Sequence, residues 1–175
     1  MDITEIAEQI KECGENIVLI YAFNATGKTR LSVEYKNITK QANENTRAGV
    51  YYNAYSEDLF VWENDERNGN QDIKLNVLKS SLNQFHSFID VPDIEEKLKM
   101  YIPRYTFKLN LYANLEDGIK SISFYMDEEQ KIPIKISRGE ERIFVWCFFL
   151  TLFGVDAWAG EQDAHFFIDD PVSSL

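Results

Sequence analysis

Val18-Leu-Ile-Tyr-Ala-Phe-Asn-Ala-Thr-Gly-Lys-Thr-Arg30 is the stretch on which the fold class turns. Its apolar start, Ile17 to Tyr21, reads as a buried strand, and a helix is predicted to begin near Gly27. Gly27-Lys28-Thr29 matches the end of the phosphate-loop pattern G-x-x-x-x-G-K-[ST]. In such a loop the backbone N–H groups of Asn24, Ala25, Thr26, Gly27, Lys28 and Thr29 point into one concavity and hold phosphate oxygens, with Arg30 following in the first helical turn. The helix start adds free N–H groups and partial positive charge. Lys28 reaches the terminal phosphates, and the Thr29 hydroxyl suits Mg²⁺, which takes oxygen ligands. Ala22 stands where the pattern has its first glycine, and Ala25 where such loops often carry one. Alanine resists a positive φ, so the loop entrance is expected to differ slightly. The plain alternative is a strand, a turn and a helix with a surface lysine, since Gly-Lys-Thr alone arises by chance.

The 175 residues suit one domain, and 45% hydrophobic with 14% aromatic residues supply a packed core. No apolar run approaches the ~18 residues of a membrane span. The start, Met1-Asp-Ile-Thr-Glu-Ile-Ala-Glu-Gln-Ile10, is acidic and amphipathic, unlike a signal peptide. Cys13 and Cys147 are far apart, which points to a reducing, cytoplasmic setting with no disulfide. Two histidines, His86 and His165, form no zinc-type cluster with them. A net charge of −11 argues against broad electrostatic binding of nucleic acid.

Along the chain, Ile3, Ile6, Ala7 and Ile10 share one helical face over residues 2–13. The helix from Lys28 is expected to end near residues 39–43. Strands are predicted at Gly49–Tyr55, Asp58–Trp62, Tyr105–Tyr112, Ile119–Met126, Ile132–Ile136 and His165–Ile168. Leu75, Leu78, Leu82, Phe85 and Ile89 follow helical spacing, so a helix is expected over 75–89. Asp90 or Asp93 caps a further helix through Tyr101, and Ser137 opens a long apolar one to Phe153. The order implies an α/β core with an antiparallel insertion. Trp62, Phe85, Phe88, Phe107, Phe124 and Tyr125 read as core side chains, as do Trp146, Phe148 and Phe149, rather than base-stacking platforms.

Two further places carry chemistry. Phe166-Phe-Ile-Asp-Asp170 is an apolar strand ending in carboxylates, which puts Asp169 at the sheet edge where nucleotides bind in open α/β folds. There Asp169 can hold Mg²⁺ opposite Thr29, while Asp170 polarises the attacking water. Turn carboxylates before Pro171 are the simpler reading. Ser137-Arg-Gly-Glu-Glu141 fits a capping box before an apolar helix. It also fits a site where Ser137 and the Gly139 amide meet the terminal phosphate of a second nucleotide. Both readings stand at this point.

Three blocks in this order resemble a family. Tyr21–Ser32, Ile136–Glu141 and Phe167–Leu175 are similar to the Walker A, signature and Walker B/D-loop segments of ABC-type ATPase heads. The class resembled is that of SMC-like repair heads and of the anticodon-nuclease (RloC/PrrC-like) ATPases of bacterial anti-phage defence. The resemblance implies an α/β P-loop NTPase of ABC-head type, a single head over 1–175 with a helical and antiparallel-strand insertion at 55–136. It implies that Lys28 and Thr29 bind ATP and Mg²⁺, that Asp169 is the Walker B ligand, and that Asp170 is the catalytic base where many heads have glutamate. Ser137, Arg138, Gly139 and Glu140 would act in trans across an ATP-bound homodimer, with Ser173 and Ser174 in the D-loop. Asn53 would be the polar metal-side residue after its strand.

The insertion is too short and too β-like for a long coiled coil. Heads of this class continue past the D-loop to more strands and a switch histidine, so the sequence is expected to be a head truncated at its C-terminal side. The implied function is slow Mg²⁺-dependent ATP hydrolysis that switches an effector or nuclease partner, with no membrane and no direct nucleic-acid contact. Two other classes remain: a non-hydrolysing nucleotide-sensing or interaction module, and a small-molecule phosphotransferase.

Overall fold

A computed structural model describes residues 2–15, 17–23, 26–42, 49–52, 58–80, 82–127, 129, 132–154 and 165–168. The chain divides into two compact units: residues 1–52 with 161–169, and residues 53–160 with 170–175. The second unit extends beyond the expected 55–136 insertion and takes in the long apolar helix.

In the first unit, helix α1 (Ile3–Glu12) opens on a capping box in which Asp2 and Glu5 satisfy each other's backbone N–H. Its Ile3, Ile6, Ala7 and Ile10 pack against Leu31, Tyr35 and Ile38 of α2 (Lys28–Ala42). The apolar faces read at helical spacing are therefore the faces that meet. The Thr4 hydroxyl donates to Glu34 at 3.1 Å beside this seam. Strands β1 (Gly49–Tyr52) and β6 (His165–Ile168) pair in parallel, with Gly49 opposite His165 and Tyr52 opposite Ile168.

The strand expected at Ile17–Tyr21 does not form. Residues 17–23 have no regular structure, and Tyr21 is 91% and Phe23 87% exposed. An all-apolar strand is stable only where neighbours pair its edges and layers cover both faces. Among the described residues nothing pairs with it; β1 and β6 bond directly to each other.

The second unit is built on a four-stranded antiparallel sheet in the order β2-β3-β5-β4. Its strands are β2 (Phe60–Glu63), β3 (Lys74–Val77), β4 (Thr106–Leu111) and β5 (Ile119–Tyr125). Cross-strand pairs Trp62–Leu75, Leu75–Ile122 and Phe107–Phe124 line one face. Across that face lies α4 (Arg138–Phe153), whose buried residues Phe144, Val145, Cys147, Phe148, Phe149, Thr151 and Leu152 form a broad face. Phe144 sits edge-on to Phe107 and Phe124, each with ring centroids 5.0 Å apart, and Phe148 meets Phe60 at 5.4 Å. Helix α3 (Val91–Leu98), capped by Asp90, buries Ile94 and Leu98 and lies beside α4, where Thr151 donates to the Asp93 carbonyl. Cys147 is buried in this core, and burial pushes its thiol up to about 11, so it is a structural thiol.

The helix expected over 75–89 is instead β3 followed by a 3₁₀ turn, Asn83–Phe88. Leu75 and Val77 alternate inward against Trp62 and Phe60, so period two wins over the fortuitous helical spacing. The strand expected over 132–136 reduces to a single bridge, Ile134 opposite Phe124. Gly49–Tyr55 is a strand as far as Tyr52; residues 53–57 lie outside the described residues.

His86 makes one acid-sensitive joint in the second unit. It is 2% exposed, and its Nδ1 accepts the Ile119 N–H at 3.4 Å, which requires that nitrogen to be unprotonated. Burial holds its pKa down at about 4 against an ordinary 6.5. A depressed folded-state value means the unfolded chain binds the proton more readily. This contribution is complete above about pH 6.5 and is lost as pH falls toward 4, up to about 3 kcal/mol. Urea titrations of the wild type between pH 7 and 4.5 are expected to show that slope, and His86→Leu to flatten it.

Candidate functional site

The phosphate-loop stretch is described from Thr26 onward; Asn24 and Ala25 lie outside the described residues. The Thr26 hydroxyl and N–H both turn back to the Phe23 carbonyl, at 2.6 and 3.4 Å, and close a tight turn. Gly27 has φ +102°, a conformation that only glycine adopts without strain. Its carbonyl accepts the Leu31 N–H at 2.8 Å, the first bond of α2. Ile3 of α1 stands 3.5 Å from where a Gly27 Cβ would be, so the start of α1 packs over the turn. Lys28, Thr29 and Arg30 form the first turn of α2, with Thr29 and Arg30 exposed. Ser32 donates to the Thr29 carbonyl at 2.8 Å and tightens that turn. Such a turn offers backbone N–H groups, a hydroxyl and two cations within a few residues, a donor set suited to phosphate and Mg²⁺.

The expected metal-side residues Asn53 and Asp169 lie outside the described residues, as do Asp170, Ser173 and Ser174. Each of the first two directly follows one member of the last parallel pair, Tyr52 and Ile168. Among the described residues no group of three or more His, Cys, Asp or Glu could hold a metal.

Ser137 to Glu141 belongs to the second unit. Ser137 is the N-cap of α4, with extended backbone at φ −67° and ψ 159°. Its N–H and hydroxyl both donate to Glu140 Oε2, at 2.9 and 2.6 Å, and its Oγ accepts the Glu140 N–H at 3.3 Å. These bonds hold the Glu140 carboxyl below the usual carboxylate range, with the Arg104 charge adding a little. The capping box read from sequence is therefore formed. Ser137, Arg138 and Gly139 are exposed, while Glu140 and Glu141 are half-buried. Tyr105, buried nearby, has its phenol raised, first by burial and then by the Glu140 charge.

One partner of this segment was invisible in the sequence. Trp62 Nε1 donates to Glu141 Oε2 at 2.8 Å across 79 residues of chain. The sequence marked Trp62 as core and Glu141 as a capping-box neighbour; only the pairing of β2 with β3 brings the indole beneath the start of α4.

The turn at Gly27 and the capped start of α4 belong to separate compact units. The chain is similar to an anticodon nuclease of Escherichia coli, at 32% identity over 189 residues, covering 91% of this chain and 47% of that relative. The chain thus spans about half the length of the curated relative it matches, and the similarity supports a relationship to anticodon nucleases. No family model and no solved structure matches it. No helix among the described residues is long and apolar enough to cross a membrane.

Proposed function

We propose that this chain is the ATP-binding part of an anticodon-nuclease-type protein of bacterial defence, an ABC-type P-loop head that closes around ATP with a second copy. The observation that carries the reading is Gly27 of Gly27-Lys28-Thr29, at φ +102° immediately before α2. A phosphate loop needs a glycine there, because a Cβ would strain the turn that aims the N–H groups at the anion. The parallel register of β1 with β6 adds support, since Asn53 and Asp169 directly follow in sequence the last paired residues, Tyr52 and Ile168.

On this reading Lys28 neutralises the terminal phosphates, Thr29 and Asp169 hold Mg²⁺ with Asn53 alongside, and Asp170 orients the attacking water. Asn24, Ala25, Thr26 and Arg30 complete the anion cradle. Ser137 and Gly139 serve the nucleotide held by the second copy, Arg138 and Glu140 frame them, and Ser173 and Ser174 lie at the junction. Hydrolysis would then switch a nuclease or other effector.

Titration of ATP–Mg²⁺ onto the chain tests the reading. Lys28→Ala is expected to weaken binding by about 100-fold, the scale of two to three kcal/mol for charge-assisted bonds to phosphate. Equal affinity in the two proteins would remove the basis for a phosphate loop.

A second reading, a nucleotide sensor without hydrolysis, is favoured by Glu140. It occupies the N–H and the hydroxyl of Ser137 that a phosphate would need. ATP binding and association without phosphate release would select it.

A further inference from the structure

The start of α4 is tied to β2 at two points. Trp62, on β2, donates its indole N–H to Glu141 at 2.8 Å. Lys135, two residues before Ser137, stands 5.3 Å from the centre of the same indole and donates to Asn64 at 3.0 Å. Residues on both sides of the Ser137–Glu140 segment are thus fastened to Trp62 and Asn64. The indole is itself fixed, lying 5.7 Å from the Phe124 ring in the sheet core.

These ties set the rotation of the first turn of α4. Glu141 is drawn inward to the indole, while Ser137, Arg138 and Gly139 face solvent. A half-turn about the helix axis would carry the exposed Ser137–Gly139 edge toward the sheet and turn Glu141 away from the indole. A half-buried indole N–H needs an acceptor, and any sheet carbonyl would serve that need. A carboxylate in the first turn makes a stronger bond than a carbonyl and couples the strand to the helix.

We propose that Trp62 is a positioning residue for the signature-like segment. Through Glu141 it holds the first turn of α4 in the orientation that presents the exposed Gly139 amide, beside the Ser137 cap, to a nucleotide on a second copy. The proposal rests on the head reading above and assigns part of its control to the antiparallel sheet. Anything that displaces β2 then misaligns that amide without touching the phosphate loop of the same chain.

The test uses the full chain and separates ATP affinity from ATP-dependent association. Trp62→Phe keeps a ring against Phe124 and removes the N–H. It is expected to weaken ATP-dependent self-association in sedimentation by about tenfold, the scale of one hydrogen bond to a charged group. ATP affinity of the dilute chain should stay within about twofold, since that site uses Gly27 to Thr29; a merely structural role would move both together through the folded fraction. Glu141→Gln retains an acceptor oxygen and should fall between Trp62→Phe and wild type. If the smaller ring costs the fold, Glu141→Leu keeps the indole and carries the same expectation as Trp62→Phe. Undiminished association in Trp62→Phe and Glu141→Leu overturns the positioning role alone. A wild type that binds ATP and stays monomeric overturns the head reading, and this inference with it.

Discussion

Phe124→Ala is expected to destabilise the second unit by about 3–5 kcal/mol, the range for truncating a fully buried aromatic. Phe124 is 0% exposed, and its ring meets Trp62, Tyr105 and Phe144 at 5.7, 5.3 and 5.0 Å. It joins both sides of the core, because Trp62 comes from β2, Tyr105 from just before β4 and Phe144 from α4. Surrounding rings cannot collapse into the space without leaving their edge-on arrangements, so a cavity term adds to the lost transfer energy. Marginal stabilities of about 5–15 kcal/mol make this a large share of the total. Urea or thermal unfolding reads it directly. A change under about 1 kcal/mol would mean that the core is not packed as described.

Gly118→Ala should cost a similar amount by the opposite route, crowding instead of emptying. Gly118 adopts φ +77° and ψ −148°, a region almost confined to glycine. An added Cβ would lie 2.6 Å from the Asn83 carbonyl oxygen and 2.8 Å from His86 Cβ. Neither neighbour can withdraw freely. Asn83 donates to the Asp117 carbonyl at 2.9 Å and accepts from Ser80 N–H at 2.7 Å, and His86 accepts from Ile119. Backbone strain of about 1–3 kcal/mol and overpacking of about 1–3 kcal/mol together place the loss at about 2–6 kcal/mol. Because the damaged joint holds His86, the variant should also lose part of the acid-dependent slope. A Gly118→Ala protein with wild-type stability at pH 7 would contradict this geometry.

Much of the local structure could be read along the chain. Ile3, Ile6, Ala7 and Ile10 declared both the helix and the face it buries; Asp90 or Asp93, and Ser137, marked helix starts, and hydrogen bonds fix the caps at Asp90 and Ser137. Phe107 and Phe124 fell on strands by simple alternation. Two expectations failed, for different reasons. Leu75 to Ile89 carried helical spacing but spans two short elements, and a window longer than either averaged them. Ile17 to Tyr21 has the composition of a buried strand, yet composition states only a demand for partners and cannot supply them.

By itself the sequence determined which residues cap, which faces are apolar, and that Gly27, Lys28 and Thr29 stand together as a phosphate-binding candidate. These are properties of neighbours in the chain, set by propensity, spacing and backbone sterics. Tertiary structure decided the pairings: β1 with β6 in parallel, β3 between β2 and β5, and the Trp62 indole beneath Glu141. Such contacts join residues tens of positions apart. Register, and the burial it brings, selects them, and no local pattern encodes which distant strand will satisfy a given edge.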